Sequence, residues 1–178
     1  MKYTLRQPTC AGCPHNLQYG DTIPMKQFGV MMHFGEHFCT GDKRARRFKR
    51  SDPKSKVPVW CPKRKTPCEL RVYALKSNQD WYMHHFLSSN SNDPIHIPEY
   101  RYALVTSSEI ALRPQEFWKR CQSEPWTNLL HIEIPLYSVV EIDDGLLPAF
   151  FYRAVDGLKL VPYFNAEKAR ANRMEESV

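Results

Sequence analysis

The fold of this 178-residue chain is organised by a stretch that reads Cys10-Ala-Gly-Cys13-Pro14-His15, then Cys39-Thr-Gly41, then Trp60-Cys61-Pro62, and finally Pro67-Cys68. Two residues between the thiolates of Cys10 and Cys13 let both sulfur atoms reach one ion from a tight turn, which Gly12 and Pro14 favour. The stretch therefore predicts a structural metal site, with a basic loop that lies between its later ligands in the sequence.

A tetrahedral site needs two more ligands, and Cys39 and Cys61 are the best candidates because each belongs to a short turn-forming segment. Cys68 is a reserve ligand. One histidine could replace a sulfur, and the candidates are His15, His33 and His37. Zinc is favoured over an iron–sulfur cluster as the cofactor. The alternatives are reduced, partly buried cysteines without a metal, and disulfides.

The apolar segments of the chain indicate its cellular compartment, and the compartment determines whether these thiols are reduced or oxidised. The N-terminal residues contain no apolar run of signal-peptide length, and no stretch approaches the length of a transmembrane helix. We therefore expect a cytoplasmic protein without a membrane partner. Thiols stay reduced in that compartment, and clustered cysteines there favour metal binding or catalysis over disulfides.

The spacing Cys10-x-x-Cys13-Pro14, then a lone Cys39, then Trp60-Cys61-Pro62 resembles the C-x-x-C-P…C…W-C-P arrangement of small zinc-binding proteins. These proteins are carried by phages and other bacterial mobile elements, and most are uncharacterised. The resemblance covers about the first third of the chain and implies zinc, a bacterial cytoplasm, and Cys10, Cys13, Cys39 and Cys61 as ligands. It supplies no activity. The long insert before Cys61 and the additional Cys68 depart from the compact pattern, so the fourth ligand stays open.

Charge is distributed unevenly along the chain. Residues 1–76 contain 16 Lys and Arg against 5 Asp and Glu, a net charge of +11, whereas residues 77–178 contain 9 against 14, a net charge of −5. A dense basic loop and its aromatic neighbours Phe48 and Trp60 predict a surface that binds phosphates. The candidate nucleic-acid-binding residues are Lys43, Arg44, Arg46, Arg47, Lys49, Arg50, Lys63, Arg64 and Lys65.

Several partners suit this loop. DNA or RNA is favoured, either alone or in a nucleoprotein complex, and a protein partner is the next alternative. Phe48 and Trp60 could stack on bases or could simply anchor the loop. A flexible, solubilising loop without a specific ligand is the third interpretation.

The patterns predict an α+β fold. A zinc-centred module at residues 1–76 is expected to pack on a mainly antiparallel sheet, with one or two short helices, at residues 77–178; the two parts could form one continuous domain. Residues 25–38 favour a strand or a bent hairpin arm over a helical turn. Helices are expected at residues 80–87 and from Pro114, strands at 69–75, 102–106 and 129–142, a linker at 88–93, and a hairpin with an Asp156-Gly157 turn.

The function class follows from what the chain contains. We expect a non-enzymatic nucleic-acid-binding or nucleoprotein-associated accessory protein. The first alternative is a protein–protein interaction factor, such as an inhibitor or adaptor. The second is a zinc-dependent hydrolase, since His33-Phe-Gly-Glu36-His37 formally matches the H-x-x-E-H pattern of inverted metalloproteases. That chemistry needs a stable helix, which Gly35 disfavours. The sequence contains no other catalytic constellation, so the hypothesis of an enzyme is less favoured than that of a non-enzymatic binding protein.

Overall fold

A computed structural model of the protein describes residues 4–50, 52, 56–89, 97–172 and 174. Strands account for 30% of the chain and helices for 19%, and the sheets are mainly antiparallel, which confirms the α+β class. The chain divides into two compact units. The smaller comprises residues 6–64 and 145–147, and the larger comprises the described residues of 1–5, 65–144 and 148–178. This division differs from the predicted boundary at residue 76, because residues 65–76 belong to the larger unit.

Five short strands form the smaller unit: β1 (Asn16–Gln18), β2 (Met25–Gln27), β3 (Val30–Met32), β4 (His37–Cys39) and β5 (Arg46–Arg47). Strands β1, β4 and β5 make an antiparallel sheet in that order, while β2 and β3 form a separate hairpin. Residues 25–38 therefore contain β2, β3 and the start of β4, as the prediction of a strand or bent hairpin arm requires, and no helical turn. One apolar cluster lies beneath these strands and consists of Tyr19, Met32, Phe38 and Ala45, with Leu17 and Val30 at its margin.

The larger unit is built on a five-stranded antiparallel sheet in the order β10-β9-β8-β6-β7. Its strands are β6 (Cys68–Leu75), β7 (Tyr102–Ile110), β8 (Val139–Asp143), β9 (Ala149–Ala154) and β10 (Gly157–Val161). Among its described residues three α-helices accompany them: α1 (Asn78–Ser89), α2 (Pro114–Arg120) and α3 (Ala166–Ala171). Two single 3₁₀ turns lie at Glu99–Arg101 and Trp126–Asn128.

The central strands β6 and β8 are buried on both faces of the sheet. Because strand side chains alternate, Val140 packs with Leu70 and Phe117 of α2 in one cluster, whereas Val139 packs with Tyr73 in the other. Ala166 and Ala169 of α3 close the second cluster. The predicted strands at 69–75 and 102–106 and the helices from 80 and from 114 are therefore confirmed within one layered unit.

A charged pair lies inside the sheet. Glu141 is 2% exposed and lies directly opposite Arg71 on β6. One carboxylate oxygen of Glu141 accepts a hydrogen bond from Arg71 at 2.9 Å, and the other accepts the hydroxyl of Tyr73. The carboxylate is thus compensated by a cation and a hydroxyl, as burial of a charge requires.

Three local expectations differ from the structure. The β9–β10 turn consists of Val155 and Asp156, one residue earlier than predicted, because Gly157 already pairs with Ala154. Residues 129–138 form no strand, and β8 begins only at Val139. The predicted linker at 88–93 lies mainly outside the described residues, while residues 88 and 89 belong to α1.

Candidate metal centre and basic surface

The first cysteine pair lies on a tight turn in the smaller unit. The backbone N–H of Cys13 donates to the carbonyl of Cys10 at 3.1 Å, and Gly12 has a φ of +78°, which glycine adopts without steric cost. The side-chain amide of Asn16 donates to the same Cys10 carbonyl at 3.1 Å. The Cys10-x-x-Cys13 spacing therefore produces the turn that the sequence predicts.

The second turn begins at Cys39, at the end of β4, and meets the first turn through backbone contacts. Thr40 donates its N–H to the carbonyl of His15 at 2.9 Å, and Asn16 pairs with Cys39 across the β1–β4 ladder. Gly41 lies close to both neighbouring turns: a Cβ on this residue would be 3.2 Å from Cγ of Pro62 and 3.4 Å from Cγ of His15. The segments that follow Cys13, Cys39 and Cys61 thus converge on Gly41.

Cys61 lies on a third turn of similar form. Its N–H donates to the carbonyl of Pro58 at 3.2 Å, and Arg64 donates its N–H to the carbonyl of Cys61 at 3.0 Å. Cys10, Cys39 and Cys61 share one apolar cluster with Phe48, Val57, Trp60 and Leu146. Three of the four predicted ligands are therefore packed together, and the fourth, Cys13, is tied to Cys10 by the first turn.

The thiols influence one another electrostatically. Burial raises the pKa of Cys10 to about 11, and the neighbouring thiols of Cys61, Cys13 and Cys39 add to the increase. Burial also raises the pKa of Cys39, while a hydrogen bond from the backbone N–H of Gly41 acts in the opposite direction. Thiolates gathered in this way repel each other unless a cation offsets their charge.

Four thiols on three turns are a donor set that suits zinc, which is held by four cysteine sulfurs in many structural sites. Within the part of the chain that the structure describes, however, no three histidine, cysteine, aspartate or glutamate side chains are already grouped as a metal site. The backbone turns and the shared cluster are in place. Zinc therefore remains a proposal.

The other two cysteines lie elsewhere. Cys68 is 2% exposed in the core of the larger unit, where it begins β6 and packs with Leu70 and Ile110. Cys121 follows α2 and packs against the same core, and burial raises its pKa to about 11. None of the six cysteines, all of which are described, forms a disulfide. Cys68, the reserve ligand, and the four favoured cysteines thus belong to different compact units.

The histidines considered as ligands or catalysts have different surroundings. His15 is half-buried against Gly41 in the first turn. His33 is exposed, and its backbone N–H donates to the carboxylate of Glu36 at 3.0 Å. Glu36 forms an ion pair of 3.1 Å with Arg47, and Nδ1 of His37 lies 3.2 Å from Oδ1 of Asn16. Residues 33–36 form a turn and His37 begins β4, so the helix that the metalloprotease pattern requires is absent here.

Some of the nine candidate basic residues are engaged within the chain. Arg46 lies over the ring of Trp60, and Arg47 lies over the ring of Phe38, with 5.6 and 5.8 Å from each guanidinium carbon to the ring centroid. Arg64 donates to the carbonyls of Val57 and Pro58. Lys65, which belongs to the larger unit, forms ion pairs with Glu69 and Asp143.

The remaining candidates are exposed cations. No acidic side chain in the described part of the chain lies within ion-pair distance of these five, which are Lys43, Arg44, Lys49, Arg50 and Lys63. Phe48 is 7% exposed and stacks on Trp60 with a centroid separation of 5.4 Å. Of the two roles considered for these aromatics, the structure shows the anchoring one for Phe48.

Residue types alone do not identify every residue that shapes this region. The role of Gly41 follows from its contacts, although the Cys39-Thr-Gly41 spacing signals a turn. Phe28 was not singled out in the sequence, and its φ of +49° in the β2–β3 turn is visible only in the structure.

Comparison with known proteins assigns neither a family nor a function to this chain. No protein-family model matches the sequence, and no curated protein or solved structure is significantly similar to it.

Proposed function

We propose that this protein is a zinc-stabilised, non-enzymatic nucleic-acid-binding or nucleoprotein-associated accessory protein of a bacterial mobile element, acting in the cytoplasm. The observation that carries the proposal is the convergence of three cysteine turns on Gly41, which is followed in the chain by a loop of exposed cations. The proposed zinc ligands are Cys10, Cys13, Cys39 and Cys61. Nucleic acid would contact the five cations that have no ion-pair partner among the described residues, namely Lys43, Arg44, Lys49, Arg50 and Lys63.

The energetic argument for zinc concerns the smaller unit. Its apolar clusters are small, and Cys10 and Cys39 are both buried within them. A small core seldom stabilises a fold by itself, and a structural metal contributes directly to folding. Zinc would bind these cysteines as thiolates, with release of their protons, and its bonds to sulfur would fix the ends of the basic loop.

The argument for a polyanion rests on the charges of the loop. Residues 43–50 contain six basic side chains and no acid, and all six are exposed. Surface cations at this density repel each other, and phosphate contacts with release of counterions would relieve that repulsion. The ring of Trp60 stacks on Phe48 and is covered by Arg46. We therefore assign Trp60 to anchoring the loop and not to stacking on a base.

Zinc content and nucleic-acid binding test the proposal together. We expect one zinc per chain in protein purified without added metal, and binding of DNA or RNA at low salt that weakens steeply as salt rises. Removal of the metal with a chelator should unfold the smaller unit and abolish binding. A zinc content near zero with an unchanged fold would remove the metal, and absence of binding to DNA and RNA at low salt would remove the nucleic-acid role.

A second candidate is a protein–protein interaction factor. Helix α1 carries three large apolar side chains on its outer side, with Tyr82 at 69%, Met83 at 46% and Phe86 at 66% exposure. His84, on its inner side, is buried and lies 2.6 Å from the hydroxyl of Tyr152. Exposed aromatic and methionine side chains are enriched in protein interfaces. Capture of a partner by the intact chain, lost on replacement of Tyr82 and Met83 by serine, would favour this function.

A further inference from the structure

The turn of the β2–β3 hairpin has an unusual residue at its first position. Phe28 has a φ of +49° and Gly29 a φ of +73°, so both central residues of this two-residue turn are left-handed. Asn, Asp and Gly are the residues that adopt this conformation readily, whereas a bulky aromatic is strained there. Phe28 is also 49% exposed, so burial of its ring gives little in return. Folding alone therefore does not account for a phenylalanine at this position.

Phe28 belongs to a larger group of exposed apolar side chains in the same segment. These side chains, with their exposed fractions, are Ile23 at 77%, Met25 at 45%, Met31 at 48% and Phe34 at 67%. Five large apolar side chains are thus exposed between residues 23 and 34, which favours a binding surface in this segment. Phe28 and Phe34 are exposed, unlike the buried Phe48.

The surroundings of this hairpin are basic. The N–H of Ala45 donates to the carbonyl of Phe28 at 3.1 Å, and the guanidinium of Arg47 donates to the carbonyl of Met31 at 3.2 Å. The aliphatic part of Arg44 lies beside Gly29, 3.3 Å from the position of a Cβ there. Residues 22–35 contain no acid, and Glu36 is paired with Arg47. Phe28 is thus bordered by Arg44, and Phe34 lies in the same segment without acids, so a ligand with flat apolar faces and negative charge is complementary to this surface.

We propose that the β2–β3 hairpin binds single-stranded nucleic acid, with one base stacked on Phe28, a second on Phe34, and phosphates beside Lys26 and Arg44. This inference rests on the proposed nucleic-acid-binding function and names its ligand class. A base offers its face to a ring only when it is not stacked in a duplex, and aromatic platforms flanked by cations are the usual means of binding single strands. Phe28 lies in the turn at the tip of the hairpin and is 49% exposed, so its ring is accessible to a base.

The test compares variants of the full chain for binding a labelled oligothymidine and a labelled duplex of equal length. Phe28→Asn removes the ring and suits the left-handed turn, so the fold should be retained. Phe28→Trp restores a stacking ring. Val155→Asn, which replaces a side chain 78% exposed in the β9–β10 turn of the other unit, is the matched control.

We expect Phe28→Asn to weaken oligothymidine binding by about 5- to 150-fold, the range that corresponds to one lost base stack. Duplex binding should be unchanged, Phe28→Trp should bind single strands like the wild type, and Val155→Asn should have no effect. If the wild type binds both nucleic acids and Phe28→Asn alters neither, the inference is wrong while the proposed function stands. If the wild type binds neither at low salt, both fail. Phe28-dependent binding to vesicles containing phosphatidylserine, without oligothymidine binding, would also overturn the inference.

Discussion

Gly41 and Pro62 are so close that a Cβ at position 41 would lie 3.2 Å from Cγ of Pro62. Gly41 follows Cys39 by two residues and Pro62 follows Cys61 directly, so their contact joins two cysteine turns that are 22 residues apart in sequence. His15, two residues after Cys13, contacts the same glycine. The backbone around Gly41 thus brings together the three turns on which the proposed zinc ligands lie.

This contact predicts a specific cost for a methyl group at position 41. Gly41→Ala should lower the free energy of unfolding by about 1–3 kcal/mol, because the added Cβ overpacks a site bounded by a proline ring and an imidazole. Urea denaturation measures this change, and zinc affinity should fall with it. Gly20→Ala is the matched control, since nothing lies within 4 Å of a Cβ there, and it should be neutral or stabilising by about 0.4–1 kcal/mol. If the two substitutions have equal effects, the close packing of Gly41 against Pro62 and His15 is not needed for stability, and the prediction is wrong.

The six cysteines divide into two groups with opposite expected behaviour. Serine at Cys10, Cys13, Cys39 or Cys61 should reduce zinc to well below one per chain and unfold the smaller unit, because a structural site lacking one thiolate binds metal much more weakly. Serine at Cys68 or Cys121 should leave the zinc content unchanged, since these residues pack in the core of the larger unit. Metal analysis of each purified variant decides the assignment. Loss of zinc from the Cys68 variant alone would restore Cys68 as the fourth ligand.

The sequence predicts those parts of the fold that have a local cause. The alternation in Glu69–Leu75 and the Pro114 start predict a strand and a helix that are both present. The helix predicted at residues 80–87 is present as well, and the hydroxyl of Ser77 caps its start by accepting the N–H of Asp80 at 3.1 Å. In each case the signal lies within a few residues, so propensity and capping are sufficient.

Features that depend on distant residues were not predictable in this way. Residues 129–138 contain apolar side chains but form no strand. Tyr137 is left-handed, with a φ of +66°, and the ladders of β8 with β6 and β9 begin only at Val139. The placement of Cys68 in the larger unit follows from the pairing of β6 with β7 and β8, which no local pattern near Cys68 reveals. Phenylalanine disfavours the left-handed conformation, so residue propensities could not predict the positive φ of Phe28.

Buried His84 should make the stability of the larger unit depend on pH. Burial lowers the pKa of His84 below its usual value of 6.5, and the positive charge of Arg101 acts in the same direction. The unfolded chain therefore binds a proton at a higher pH than the folded chain does. Stability should be complete above pH 6.5 and should fall as the pH decreases from 6.5 toward the lowered pKa.

Urea denaturation of wild type and His84→Gln across this pH range measures the effect. The variant should lose the part of the pH dependence that comes from one proton. Tyr152→Phe removes the hydroxyl that lies 2.6 Å from Nε2 of His84 but keeps the imidazole buried, so it should retain a wild-type-like slope. A slope unchanged by His84→Gln would mean that protonation of His84 is not coupled to unfolding.

Salt dependence separates the exposed cations of the basic loop from those that hold the fold. The logarithm of the nucleic-acid binding constant should fall with the logarithm of salt concentration by ~0.9 per phosphate contact on duplex DNA and ~0.7 on single strands. Joint replacement of Lys43, Lys49 and Arg50 by glutamine should weaken binding and reduce the magnitude of the slope by up to ~2.7 on duplex, the sum of three contacts. Zinc content and the free energy of unfolding should stay at their wild-type values, because none of the three side chains forms an ion pair with a described residue.

The charge-matched control replaces three exposed lysines of the larger unit, Lys119, Lys159 and Lys168, by glutamine. This variant loses the same formal charge and should keep the wild-type slope, since only contacts that release counterions from the nucleic acid enter it. Arg46 and Arg47 are left unchanged in both variants, because their guanidinium groups lie over Trp60 and Phe38 and their loss would disturb the loop itself. Equal slopes for both variants would assign binding to overall charge, and the basic loop would then have no specific role in contacting phosphates.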